Sequence, residues 1–440
     1  GSLLRRRSAK RLTARSGLRS KMAVVLTAEE EAMRQGELGP APRWAMEVLL
    51  RMAELTGAAR FVRIASAHVD GCLYEGDAVV DFVDHLVALG ARVSVPTTLN
   101  AVSVELAHWK ERGVSPAFGE KAVQIVDGYL SMGARPSFSC SPYAIGHVPG
   151  LGQHVAWGES NAIAYANSVL GARTERYGDF LDILAAIAGR VPDQGLHRTE
   201  NRRGEMLFRL EDDVNRHDPS LYPLVGYAVG LRTAGRIPVI DGLPEDARPD
   251  DLKALLAAAA SSGSVALAHL VGLTPEAPDI ETAFAGRPAA PAVPLTAGLL
   301  RETAQILTTA GPGGVDAVVL GSPHFSVAEF RETALLVRGA TAAPGVRVMI
   351  TTSQFMYDLA EREGLLEPLR AFGADIICDT CVLLSPILPD SVRTVMTNSG
   401  KYAHYIPSLL GRNVVFGSLS QCIEAARSGH VSPDESRWSS

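Results

Sequence analysis

The stretch AVVLGSPHFSVAEFRETALLVRGATAAPGVRVMI, residues 317–350, decides the fold. Its first four residues are an unbroken apolar run of strand length, and residues 347–350 at its far end, apolar after Arg347, form a second run of that length. Between them, residues 327–338 carry apolar side chains at helical spacing. Strand, helix and strand in that order describe a βαβ unit, whose strands lie parallel. The alternation continues in both directions. Residues 237–240, 265–268 and 375–377 read as strands, and residues 252–260, 299–308 and 354–362 as helices. Upstream, residues 61–65 and 92–95 read as strands, residues 78–89, 104–110 and 122–132 as helices, and 136–139 as extended. Thr27 and Glu30 form a capping box for a first helix over 28–36, and a second spans 42–56 with Trp44, Met46, Leu49, Leu50 and Ala53 at helical spacing. The expectation is an α/β protein with mostly parallel sheets and several layers. Residues 275–294, rich in Pro and Ala, are the candidate exposed connection between subdomains.

Composition bounds the function. Hydrophobic residues make up 47% of the 440 and charged residues 20%, the balance of a globular chain. Residues 1–21 carry eight positive charges and no acid, and read as a basic disordered tail upstream of Met22; a transit peptide or a nucleic-acid arm is the alternative. Removing those eight charges leaves −14 on residues 22–440 in place of the −6 of the whole chain, so the body at 22–430 is acidic and unsuited to nucleic acid. Residues 431–440 read as a polar tail. No run reaches the roughly 18 apolar residues of a membrane helix, and no secretory signal is evident. Five cysteines are too few for a disulfide framework in a chain this long, which reads as cytoplasmic.

In parallel sheets, ligands bind on the loops that leave the carboxyl ends of strands. Four such loops stand out: 66–72 with His68 and Cys72, 139–143 with Cys140, 321–324 with Ser322 and His324, and 378–381 with Cys378 and Cys381. The Cys378–Cys381 pair lacks the second pair of a zinc knuckle, and Asp379-Thr380 between the cysteines suits a redox pair poorly. A nucleophilic Cys140 would need a base, for which His147 and His154 are the candidates; metal ligation with the other loop cysteines is the alternative. Cys422 sits on an amphipathic terminal helix as core. Gly311-Pro-Gly-Gly precedes a strand, the wrong order for a dinucleotide loop, and no Walker motif is present. Glu159, Ser160 and Asn161 open a helix whose free N–H groups favour an anion, although simple capping explains the same residues. Asn167, mid-helix among apolar neighbours, requires a polar partner.

The segment 159–174, Glu-Ser-Asn-Ala-Ile-Ala-Tyr-Ala-Asn-Ser-Val-Leu-Gly-Ala-Arg-Thr, resembles a block of aconitase X large subunits. Further matches are Ala67-His68-Val69-Asp70-Gly71, Val95 to Asn100, Cys140 to Tyr143, Tyr177-Gly-Asp179, Gly321 to His324, Asp379-Thr-Cys381 and Thr397 to His404, collinear over about 27–427. The resemblance implies an aconitase-like multi-layer α/β/α fold and a hydro-lyase that removes water from a small hydroxy acid. It implies iron, as an iron–sulfur cluster or a single ion, and a small swivelling domain or subunit that carries the catalytic base. The expected iron ligands are Cys72, Cys140 and Cys381, with Cys378 as the spare. The candidate catalytic residues are His68, Ser160, His324 and Lys401, and the candidate substrate contacts are Thr98, Glu159, Asn161, Asn167, Arg173, Ser322 and Ser399. Members resembling mevalonate 5-phosphate dehydratase carry cysteine where this chain has Ser322, whereas those resembling cis-3-hydroxy-L-proline dehydratase carry a cysteine matching Cys72. The expected reaction is therefore dehydration of cis-3-hydroxy-L-proline to pyrroline-2-carboxylate. The phosphorylated hydroxy acid is the alternative, and a non-catalytic metal-binding or scaffold subunit is a third reading.

Overall fold

The structure is a computed structural model that describes residues 23–311 and 313–431. The basic tail at 1–21 and the tail beyond residue 431 lie outside the described residues. Three parallel sheets and one antiparallel pair organise the chain. The largest sheet has five parallel strands in the spatial order Ala374–Cys378, Arg347–Thr352, Ala317–Leu320, Thr394–Thr397, Asn413–Phe416. The first of these in the chain, Ala317–Leu320, is central, so the order reverses beside it.

That strand also explains why its sequence is apolar throughout. Ala317 and Val319 face one core while Val318 and Leu320 face another, so both sides of the pleat are buried. Phe330, Leu369 and Ile423, from helices Val327–Leu336, Leu366–Phe372 and Leu419–Ser428, cover the second face. Helices Leu221–Thr233, Pro249–Gly263 and Gly400–Leu410 cover the first, and they are shared with a four-stranded parallel sheet, His269–Leu270, Pro238–Asp241, Met206–Leu210, Val293–Leu295. The result is the expected α/β/α layering. Leu221–Thr233 and Pro249–Gly263 pack backbone to backbone at Gly226, where an added Cβ would stand 2.0 Å from the Leu255 carbonyl oxygen.

The N-terminal part is built on a short parallel sheet, Thr97–Leu99, Ala67–Val69, Ala156–Trp157, beside the antiparallel pair Phe61–Arg63 and Arg190–Pro192. Here too the earliest of the three parallel strands, Ala67–Val69, is central.

Several elements differ from the sequence reading. The strand expected at 92–95 starts five residues later, at Thr97–Leu99, and the helix expected at 104–110 is a series of turns leading to helix Pro116–Ser131. The strand expected at 265–268 lies at His269–Leu270. Strand Met206–Leu210, helix Leu221–Thr233 and strand Asn413–Phe416 carried no expectation; their apolar residues run on without the period that separates helix from strand. Residues 275–294 are largely exposed, and they form a crossover inside the four-stranded sheet, leading to its edge strand Val293–Leu295. No described helix is long and apolar enough to cross a membrane.

Candidate active site

At the two points where strand order reverses, carboxyl-end loops converge on one cavity of about 190 Å³. The N-terminal sheet supplies Asp70 after Ala67–Val69, Asn100 and Ala101 after Thr97–Leu99, and Glu159 and Ser160 after Ala156–Trp157. The five-stranded sheet supplies Gly321, Ser322 and His324 after Ala317–Leu320, and Lys401 after Thr394–Thr397. Cys140 and Cys381 complete the polar wall, and Leu73, Leu383, Leu384, Tyr405 and Leu409 form an apolar rim. Reversal of strand order leaves an open crevice between diverging connections, which is why ligands lodge there.

Lys401 and Glu159 form a buried ion pair across the cavity. Glu159 also caps helix Ser160–Ser168, accepting from the Ala162 N–H at 2.7 Å. Burial opposes the Lys401 charge, but the adjacent carboxylate outweighs it and the amine is held well above its usual value. The helix N-terminus therefore meets a cation and an anion at once.

The two cavity cysteines sit on constrained loops. Two residues before each, Phe138 and Asp379 adopt left-handed backbone at φ 39° and 65°, a conformation that non-glycine residues rarely enter. Asn161 donates to the Cys140 carbonyl at 3.0 Å, and the His324 N–H donates to the Cys140 sulfur at 3.1 Å. Burial, and then Glu159, push the Cys140 thiol up to about 12; burial also raises Cys381. Raised in this way, the thiols hold their protons, which disfavours nucleophilic chemistry. His147 and His154 are not positioned to change this, since His147 Nδ1 engages Thr98 at 2.7 Å and His154 Nδ1 engages His197 at 3.0 Å.

His324 Nε2 contacts the Thr380 carbonyl at 3.0 Å and must carry the proton, while its buried Nδ1 has no hydrogen-bond partner. Burial drives the imidazole down to about 4, so it is neutral. Asp70 is the residue the sequence reading passed over. Its carboxyl lines the cavity, contacts Asn100 Nδ2, and is pushed up to about 8 by burial and then by Glu159. The signal was present, because Asp70 directly follows a strand in one of the four loops singled out.

Seven of the fourteen residues expected at the site line this cavity: Cys140, Glu159, Ser160, Ser322, His324, Cys381 and Lys401. The other seven do not. His68 is fully buried, with Nδ1 on Thr98 Oγ1 at 2.9 Å. Thr98 lines a separate cleft on the far side of the loops, with Arg135 and His147. The Cys72 sulfur is turned to the carbonyls of Val69, Asn100 and Ala101 at 3.5–3.8 Å. Asn161 braces the Cys140 loop, and Ser399 caps helix Gly400–Leu410 and contacts the Ser322 carbonyl. Asn167 spends both ends of its amide on Thr174, Ala266 and Arg202, and Arg173 binds the His197 carbonyl at 2.9 Å. These two are structural ties between segments, which is how the buried amide of Asn167 is satisfied. Cys378 ends the edge strand with its N–H on Glu105 at 3.0 Å and also stays off the cavity.

Comparison with known proteins divides the chain along its three parallel sheets. The aconitase X first-domain model matches residues 23–200, the second-domain model 204–305 and the third-domain model 315–428. The chain belongs to the aconitase X family. Its four-stranded sheet is the aconitase X second domain, its five-stranded sheet the third, and the candidate cavity is lined by the first and the third. The cis-3-hydroxy-L-proline dehydratase of Pseudomonas aeruginosa is 46% identical over 418 residues, 94% of this chain and 72% of that protein. The phosphomevalonate dehydratase large subunit of Methanothermobacter thermautotrophicus is 37% identical over 397 residues, 89% of this chain and 96% of that protein. The holo-form crystal structure of Thermococcus kodakaraensis aconitase X superposes with a TM-score of 0.83 at 33% identity, covering 92% of this chain and all of that one. The first two of these relatives are dehydratases, and this aconitase X chain is a hydro-lyase.

Proposed function

We propose that this aconitase X chain dehydrates cis-3-hydroxy-L-proline to pyrroline-2-carboxylate. The observation that carries the substrate choice is the Glu159–Lys401 pair. A zwitterionic imino acid needs one anion for its ammonium and one cation for its carboxylate, and the cavity presents one of each. Lys401 is the single Lys or Arg among the described residues lining it. A phosphorylated acid carries up to about two more negative charges and calls for a cluster of cationic donors. The phosphomevalonate reading is therefore the weaker one, in line with the lower identity to that relative.

The iron expected of the family suits part of this wall. Cys140 and Cys381 are soft donors on one cavity, and metal binding would remove the thiol protons that burial holds in place. Cys72 fits as a third ligand only if its sulfur leaves the carbonyl oxygens that now surround it, since a thiolate there would face three acceptors. Among the described residues, no group of three or more His, Cys, Asp or Glu side chains is arranged to hold a metal. Bound at Cys140 and Cys381, iron supplies a Lewis acid for the substrate oxygen.

The chain's own residues do the rest. Lys401 and the start of helix Ser160–Ser168 hold the substrate carboxylate, and Glu159 orients the ammonium. Asp70, held neutral, donates a hydrogen bond to an oxygen that accumulates charge as hydroxide departs. His324 Nδ1 accepts a hydrogen bond. Leu73, Leu383, Leu384 and Leu409, the last 61% exposed, form an apolar lip that a small swivelling domain or subunit closes to exclude water and bring the base. A cytoplasmic setting suits Cys72, Cys140, Cys378 and Cys381, none of which is in a disulfide.

The test is anaerobic purification with the small domain supplied, then iron analysis and assay on cis-3-hydroxy-L-proline. Iron with turnover bears the reading out. Iron without turnover on it, but with turnover of mevalonate 5-phosphate, replaces the substrate. Iron-free, inactive protein after reconstitution makes the chain a non-catalytic subunit.

A further inference from the structure

Behind the cavity wall, helix Pro249–Gly263 of the second domain meets the third domain through a buried charge cluster. Lys253, 3% exposed, places its Nζ 2.8 Å from Asp250, 2.5 Å from Glu329 and 3.3 Å from the main-chain carbonyl of His324. The cluster closes on itself. Ser326 Oγ donates to Asp250 at 2.7 Å, and the Ser326 N–H donates to the same Glu329 carboxylate at 2.8 Å. Two acids and one cation on two domains are thus locked around the two residues that follow His324.

His324 is in turn held at three points, one from each domain. Its carbonyl takes the Lys253 ammonium of the second domain, its ring Nε2 is on Thr380 of the third, and its N–H points at the Cys140 sulfur of the first. Fixing the carbonyl and the ring leaves the N–H little freedom to turn. Cation, carbonyl, peptide and sulfur therefore form one line from the domain seam to the cavity.

We propose that Lys253, with Asp250 and Glu329, is a positioning residue that holds the His324 main chain so that its N–H donates to the Cys140 sulfur. This deepens the iron reading above, on which its second arm rests. A hydrogen bond to a ligating sulfur stabilises the electron pairs that the sulfur shares with a metal, and so tunes the metal from a distance. A buried ammonium costs a large desolvation energy. If it served only to join two domains, an apolar pair would serve as well.

The experiment uses the full chain carrying Lys253→Met/Glu329→Gln, which keeps the net charge of the cluster, and Lys253→Gln, which keeps a neutral donor. Amide hydrogen exchange of the fragment carrying His324 is measured without metal, after circular dichroism shows that each variant is folded. Exchange should speed up by about tenfold or more in the double variant, the equivalent of losing one charge-assisted hydrogen bond, and by less in Lys253→Gln. Exchange indistinguishable from the unsubstituted chain in both overturns the proposal. In the iron-loaded chain the thiolate-to-iron absorption should move to longer wavelength in the double variant, because a sulfur without its hydrogen bond is a stronger electron donor. An unmoved band with iron bound also overturns it. Failure of the unsubstituted chain to take up iron refutes the iron reading instead, and the exchange measurement then decides the role of Lys253.

Discussion

Replacing Lys401 by Met separates two roles that the ion pair could play. In the folded chain Lys401 keeps 15% of its side chain exposed and Glu159 only 4%, so the substitution strands a nearly buried carboxylate. Breaking one partner of such a pair costs about 3–5 kcal/mol. The partial exposure of Lys401, and the bond Glu159 keeps to the Ala162 N–H, place this case at the lower end, about 3 kcal/mol. The companion change Glu159→Gln neutralises the other partner while preserving an oxygen for the helix cap. In Lys401→Met/Glu159→Gln no buried charge remains, and stability should return to within about 1 kcal/mol of the unsubstituted chain. Catalysis should not return with it. If Lys401 holds the substrate carboxylate and Glu159 the ammonium, the double variant lacks two charge-assisted hydrogen bonds of about 1.5–3 kcal/mol each, and kcat/KM stays down by about a hundredfold or more. Urea titration of the three variants gives the stability cycle, and initial rates on cis-3-hydroxy-L-proline give the catalytic one. A double variant that recovers both stability and kcat/KM would refute the reasoning, leaving Lys401 as a counter-ion to a structural acid.

Other expectations follow from the same geometry. Cys381→Ala should abolish iron retention with the circular dichroism spectrum unchanged, whereas Cys72→Ala should retain it and lose only about 1 kcal/mol of stability; iron analysis of the two proteins separates a ligand from a thiol packed among carbonyls. Burial lifts the Asp182 carboxyl to about 7, although it accepts the Asp70 N–H at 2.6 Å. From about pH 4 to 7 the folded chain therefore keeps a proton that the unfolded chain has released. Stability falls as pH rises through that window, by up to about 1.4 kcal/mol per pH unit, and Asp182→Asn should flatten this part of the stability–pH curve measured by urea titration. Gly226→Leu should destabilise the chain by about 3 kcal/mol or more in thermal denaturation, because its Cβ meets the Leu255 carbonyl in a rigid helix pair; a neutral effect would show that the two helices can part.

The sequence by itself determined the layering and most of the loops that carry chemistry. Apolar runs of strand length alternating with helical segments point to parallel βαβ units, so residues 317–350 state their local structure before any tertiary contact exists. Ligand-bearing loops follow strands, and Cys140, Ser322, His324 and Cys381 were found on that ground; Glu159 and Ser160 came from the helix start they form, and Lys401 from a motif match. Strand order was not legible, because it depends on which sheet edge each helix crosses. It is this order that places the reversal points, and hence the cavity, between Ala67–Val69 and Ala317–Leu320. Side-chain direction was equally hidden. Cys72, Asn167 and Arg173 sit in motifs as suggestive as those of Cys140 and Lys401, yet the backbone turns them to carbonyls and to neighbouring segments, where their polar atoms are satisfied. Asp70 was the converse, an ordinary loop acid in sequence that becomes a protonated group only when the fold buries it beside Glu159. Local pattern fixes which residues a loop can offer; the packing of domains against one another decides which of them face the same space.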